Sequence, residues 1–152
     1  MITAKVVGDK EVIERLKKIG PDLREELRKT IQGFGIDMVG YIGRTKLEGN
    51  PLKSHTHKLR DSLNQRFEDS GDRLTTSIGD SAEYAAAHEY GVTIFPKKGK
   101  YLKFQIEGQW KSVKQVTLPE RSFMRSSLAE QKETFRQKLS QAVGRSLRKA
   151  SA

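Results

Sequence analysis

The chain has 152 residues, close to the usual size of one domain and short for two. With 35% hydrophobic and 32% charged residues it can fill one thin core and leaves wide wetted faces. The absence of cysteine excludes disulfides, thiolate metal sites and cysteine nucleophiles, and no apolar run reaches the ~18 residues of a membrane span. MITAKVVGDKEV lacks an apolar stretch of signal-peptide length, so a cytoplasm is the expected site of synthesis and residence. The net charge of +10 is one-sided: residues 1–91 carry 15 Lys and Arg and 15 Asp and Glu. Residues 92–152 carry 14 basic residues against Glu107, Glu120, Glu130 and Glu133. Such asymmetry marks a face turned toward nucleic acid or an acidic partner.

In chain order, ITAKVV at 2–7 alternates as a short strand. Asp9 is placed to cap a helix through Val12, Leu16 and Ile19, with Glu11 at its positive dipole end. Gly20-Pro21 breaks the chain, and Pro21 suits the first turn of a second helix. Its apolar stripe is Leu23, Leu27, Ile31, Phe34, Met38 and Tyr41 or Ile42. Gly33, Gly35 and Gly40 in this helix admit two readings, a frayed or bent C-terminal half or close backbone packing against a neighbour. Residues 43–58 have weak periodicity and read as a long exposed loop.

Residues 59–68 and 73–79 read as strands of a hairpin, with Leu63, Phe67, Leu74 and Ile78 facing inward. Asp80-Ser81-Ala82-Glu83 has capping-box form ahead of a short Ala-rich helix that Gly91 ends. After a brief strand at 92–95 and a basic turn, YLKFQI and WKSVKQV form a second hairpin about Glu107-Gly108-Gln109. Its alternation puts Leu102, Phe104 and Ile106 on one face, with Phe104 expected toward the core. A final helix after Pro119 carries Leu128, Phe135, Leu139, Val143 and Leu147 on one stripe, and its basic end, 145–152, is open to fraying. The expected fold is a single α+β domain over 1–152: an antiparallel sheet of two hairpins, with the N-terminal helices and a long C-terminal helix on one face.

Little of this supports catalysis. His55 and His57 lie two apart and His88 far along the chain, with no third metal ligand to be placed. There is no GxSxG, no P-loop and no GxGxxG, and Gly33 and Gly35 sit inside a helical pattern. Glu83 and Glu89 are six apart and need not share a face. No catalytic residue, cofactor or metal is expected. The basic surface is Lys97, Lys98, Lys100, Lys103, Lys111 and Lys114 on the second hairpin, and Arg136, Lys138, Arg145, Arg148 and Lys149 on the last helix. Tyr101, Phe104 and Trp110 interleave with the hairpin lysines, as stacking aromatics do in single-strand binders. The same residues also fit a packed sheet with solvated lysines guarding its edge.

Three segments in order, LRDSL at 59–63, YAAAHEYG at 84–91 and LPERSFMRSSL at 118–128, resemble the tail-completion family of tailed bacteriophages. That virion-morphogenesis family includes minor tail protein Z-like members, and the likeness covers about residues 9–145. Where the family carries Thr-Gly before its LR segment this chain has His57-Lys58, and Ser122 stands where the family has the proline of Arg-Pro-Phe. The matching positions are Leu59, Arg60, Ser62, Tyr84, Ala85, Glu89, Tyr90, Gly91, Pro119, Arg121 and Phe123. The resemblance implies a non-enzymatic virion protein, assembled in the host cytoplasm, that completes the tail or connects head and tail. Its implied partners are its own copies, in a ring, other tail or neck proteins, and DNA passing through. A small basic nucleic-acid-binding module is the alternative reading of the same charge. A further expectation is that Glu89 pairs with Arg121 and fixes the short helix against the last one. Breaking such a buried pair costs roughly 3–5 kcal/mol.

Overall fold

The computed structural model describes residues 2–7, 20–48, 52 and 57–150. Strand β1 (Ile2–Val7) is followed by helix α1 (Pro21–Ile42), a π-helical turn (Gly43–Leu47), the single helical turn α2 (Lys58–Asp61), and strands β2 (Leu63–Asp69) and β3 (Leu74–Asp80). Then come helix α3 (Ala85–Tyr90), strands β4 (Val92–Ile94), β5 (Leu102–Ile106), β6 (Gln109–Val113) and β7 (Val116–Leu118), and helix α4 (Phe123–Ala150). The fold is α+β, with every strand pair antiparallel.

Helix α1 begins as its sequence implies: Gly20 takes φ 100° and Pro21 opens the first turn. Leu23, Leu27, Ile31, Phe34, Met38 and Ile42 form its buried stripe. The three-stranded sheet has the order β1-β3-β2. Leu63, Gln65 and Phe67 oppose Asp80, Ile78 and Thr76 across β2–β3, so the expected inward set shares one face. Helix α4 runs along α1, with the Phe34 and Phe135 rings 4.4 Å apart. Phe34, Met38, Ile42, Leu59, Leu63, Ile78, Ala85, Phe123 and Met124 belong to one core cluster, and Leu23, Leu27, Ile31, Leu74 and Ala142 to another.

Helix α1 is unbroken through its glycines, and close packing is the reading that holds at Gly35. A Cβ there would lie 2.2 Å from Thr76 Oγ1 and 2.8 Å from Gln65 Cγ, whereas one at Gly33 meets nothing within 4 Å. Alanine favours a helix interior over glycine by about 1 kcal/mol, but overpacking a core costs about 1–3 kcal/mol. Gly33→Ala therefore raises the melting temperature and Gly35→Ala lowers it. At about 2–4 °C per kcal/mol, thermal unfolding resolves the two.

Several expectations are corrected. Residues 43–58 are not simply an exposed loop: Gly43–Leu47 continue α1 as a π turn, and Gly43, Leu47 and Leu52 are buried. Glu130 of α4 clamps this turn, accepting hydrogen bonds from Lys46 Nζ at 2.7 Å and Tyr41 Oη at 2.6 Å. Lys46 first, then Tyr41, hold the Glu130 carboxyl below its ordinary range. Leu59 and Arg60 lie in a helical turn, not a strand, because Ser62 Oγ bonds back to the Lys58 carbonyl at 2.7 Å.

The two hairpins lie in separate sheets: β2–β3 belong with β1, β5–β6 stand as their own pair, and β4–β7 form a third ribbon. Phe104 is only half-buried and belongs to no core cluster. The most buried face of α4 is Phe123, Met124, Ser127, Ala142 and Ser146, and Leu147 is exposed. Its basic end is helical through Ala150, with Arg145 Nε 3.3 Å and Lys149 Nζ 3.0 Å from the Glu26 carboxylate. The expected helix from Asp9 to Ile19, His55, and residues 49–51 and 53–56 of the expected loop lie outside the described residues.

Candidate docking interface

The capping box at Asp80 does not form. Asp80 ends β3, fully buried, and its Oδ1 accepts hydrogen bonds from Ser62 Oγ at 2.7 Å and Ala82 N–H at 2.8 Å. An aspartate bonding two residues on makes a turn that competes with helix initiation. Helix α3 accordingly starts later, at Ala85, with Tyr84 preceding it and no side-chain cap.

Glu89, on the last turn of α3, is fully buried. Its carboxylate accepts the backbone N–H of Met124 at 2.8 Å and of Arg125 at 3.0 Å, so it caps α4 from another helix. A helix N-terminus leaves its first N–H groups unpaired and carries partial positive charge, so a carboxylate satisfies both demands. Arg125 is a charged partner that the sequence reading did not name: its Nε lies 2.9 Å from Glu89 Oε1. Arg125 also reaches Glu120 Oε1 at 2.6 Å and the Tyr90 ring, 4.5 Å from its centroid. The Arg121 N–H donates to the His88 carbonyl at 2.9 Å, and the Ser122 N–H donates to the Glu89 carbonyl at 3.1 Å. Ser122 takes φ 42°, a conformation closed to proline, whose ring holds φ near −65°.

His88 stands beside this knot, its ring 5.9 Å from that of Tyr84 and edge-on to it. Its Nδ1 is buried without a hydrogen-bond partner among the described residues, so a proton added there finds no acceptor. Burial, and then the Arg121 charge, hold His88 below the ordinary imidazole range. Unfolding lets it take up a proton near pH 6.5, so stability is lost as pH falls below about that value. Between pH 7 and pH 5 the melting temperature of wild type falls further than that of His88→Gln; equal falls contradict the assignment.

From this knot extends an arm. Ribbon β4–β7 pairs Val92 with Leu118 and Ile94 with Val116, and between its strands lies the β5–β6 hairpin. Glu107 at φ 49° and Gly108 at φ 79° make the tight turn that joins β5 to β6. No residue from Val92 to Leu118 is buried. Val92, Ile94, Phe95, Tyr101, Ile106 and Trp110 are all exposed, Trp110 to 75%. Lys97, Lys98, Lys100, Lys103, Lys111 and Lys114 are exposed too, and none forms an ion pair among the described residues.

No family model, curated protein or solved structure matches the chain.

The site residues read from the sequence divide clearly. Leu59, Ala85 and Phe123 join one core cluster, so the three motif segments meet inside the protein. Ser62, Glu89, Gly91 and Arg121 hold turns and helix ends around that point. Arg60, paired with Glu48, and Tyr84, Tyr90 and Pro119 are exposed. Lys138 pairs with Asp37 at 2.5 Å and Arg136 with Glu133 at 3.8 Å, and Arg148 is exposed. The basic charge of α4 is thus partly answered within the chain, unlike that of the arm. Sequence reasoning missed Arg125, four residues past the motif arginine; its spacing places it one turn into the helix, where a carboxylate cap lies within reach. Among the described residues, no helix is long and apolar enough to cross a membrane, and no three His, Asp or Glu side chains gather as metal ligands do.

Proposed function

We propose that the chain is a structural protein of a tailed phage or prophage that completes the tail or joins it to the head. It acts without catalysis, by docking with copies of itself and with neighbouring tail or neck proteins, and belongs to the virion after assembly in the bacterial cytoplasm. The observation that carries this reading is the arm: residues 92–118 without one buried side chain, rich in exposed aromatic and aliphatic groups. Solvent-exposed apolar clusters of this kind mark interaction surfaces, and Trp, Tyr and Phe are enriched where partners bind.

Deleting the coding sequence from a phage or inducible prophage gives lysates with separate heads and tails, or with unstable tails, in electron micrographs. Intact virions in normal number refute the proposal. The second reading, nucleic-acid binding, is favoured by the unpaired arm lysines beside Trp110. It requires affinity for duplex DNA that falls steeply with salt.

A further inference from the structure

We propose that the outer edge of β5 takes an extended segment of a neighbouring protein as an added strand, and that this segment alternates acidic and apolar side chains. The inference rests on the docking reading and names the chemistry of the partner at the arm.

Among the described residues β5 pairs with β6 alone, so one edge of β5 presents N–H and C=O groups that no described strand takes up. A two-stranded hairpin is marginal in water, and a third strand or a cover stabilises it. The register supplies the side-chain code. Leu102, Phe104 and Ile106 share a face with Val113, Lys111 and Gln109, while Lys103 and Gln105 share the other with Ser112 and Trp110. An incoming strand therefore extends an apolar surface with every second residue and faces Lys103 with the residues between. Strand addition works this way elsewhere: backbone bonds supply affinity and alternate side chains supply selectivity.

Charge decides the occupant. The arm carries six lysines against Glu107 alone. A second copy's arm would set lysine against lysine, the arrangement edge strands use to repel their own kind. Duplex DNA answers the lysines but offers no strand for the β5 edge and no apolar face for Leu102, Phe104 and Ile106. An acidic–apolar strand answers all three.

The test uses the full-length protein and Trp110, its sole tryptophan, as reporter. The probes are a capped nine-residue peptide alternating Glu and Val, a block-ordered peptide of the same composition, an alternating Lys and Val peptide, and a 24-base-pair duplex. The alternating acidic peptide shifts Trp110 emission saturably to the blue and slows amide exchange across β5, and the block peptide does neither. Lys103→Glu weakens that peptide about tenfold and gains affinity for the Lys and Val peptide, as charge reversal in a cross-strand pair requires. Equal binding of the two acidic peptides overturns strand addition, leaving charge alone. Tighter binding of the duplex, or Trp110 burial that grows with protein concentration without any probe, assigns the edge to DNA or to a second copy and also overturns it. Defective particles from the deletion strain with no peptide binding overturn this inference and leave the docking reading standing.

Discussion

Replacing Glu89 with alanine lowers stability by about 3 kcal/mol, near 10 °C in melting temperature. The loss has a specific origin. The Met124 and Arg125 N–H groups sit at the start of α4, and Met124 is buried, so no water replaces the carboxylate. Losing a helix cap costs about 0.5–2 kcal/mol, and a stranded buried donor about 1–3 kcal/mol. Arg125 contributes less, because its side chain is half exposed and can turn to Glu120. The expected order is Glu89→Ala well below Glu89→Gln, with Arg125→Ala nearest wild type. Gln keeps one acceptor but turns an amide donor toward N–H groups that already donate. Thermal unfolding of the three variants decides the matter. If Arg125→Ala falls as far as Glu89→Ala, the ion pair rather than the helix cap holds the knot.

Gly91→Ala is the second severe change. Gly91 takes φ 70° and ψ 157°, a region essentially confined to glycine, where another residue pays about 1–3 kcal/mol in strain. Its Cβ would also stand 2.7 Å from the Glu120 nitrogen and 3.0 Å from the Leu118 carbonyl oxygen. These are backbone atoms, and the ladder that pairs Val92 with Leu118 holds them in place. The root of the arm must open. Amide exchange accelerates at Val92–Ile94 and Val116–Leu118 while β2 and β3 stay protected; uniform acceleration across the chain contradicts this localisation.

How much of this could be read from residues alone depended on what each feature needed. The stripe of α1 was plain because burial repeats every three or four residues there, and Leu63, Phe67, Leu74 and Ile78 followed from simple alternation. Alternation also grouped Leu102, Phe104 and Ile106 rightly, but periodicity reports which side chains share a face and not whether anything covers it. Asp80 misled because an aspartate before Ser-Ala-Glu suits a helix start and a turn equally well. Only the bond from Ser62, eighteen residues earlier, decides between them. Glu89 stands out in the sequence, but two of its partners are backbone N–H groups, and a backbone donor leaves no trace in composition. The two strands after the basic turn carried no sign that they form a sheet of their own.

The ribbon at the root of the arm has a mechanical consequence. Its strands run antiparallel from a common base, with Val92 opposite Leu118 there and Ile94 opposite Val116 farther out. Tension applied at the Trp110 end pulls both strands of the ribbon along their length, so it runs down the backbone of each and does not pry Val92 from Leu118. The load therefore arrives directly at Gly91 and Pro119, the two roots of the arm, which the cap that Glu89 places on α4 ties together.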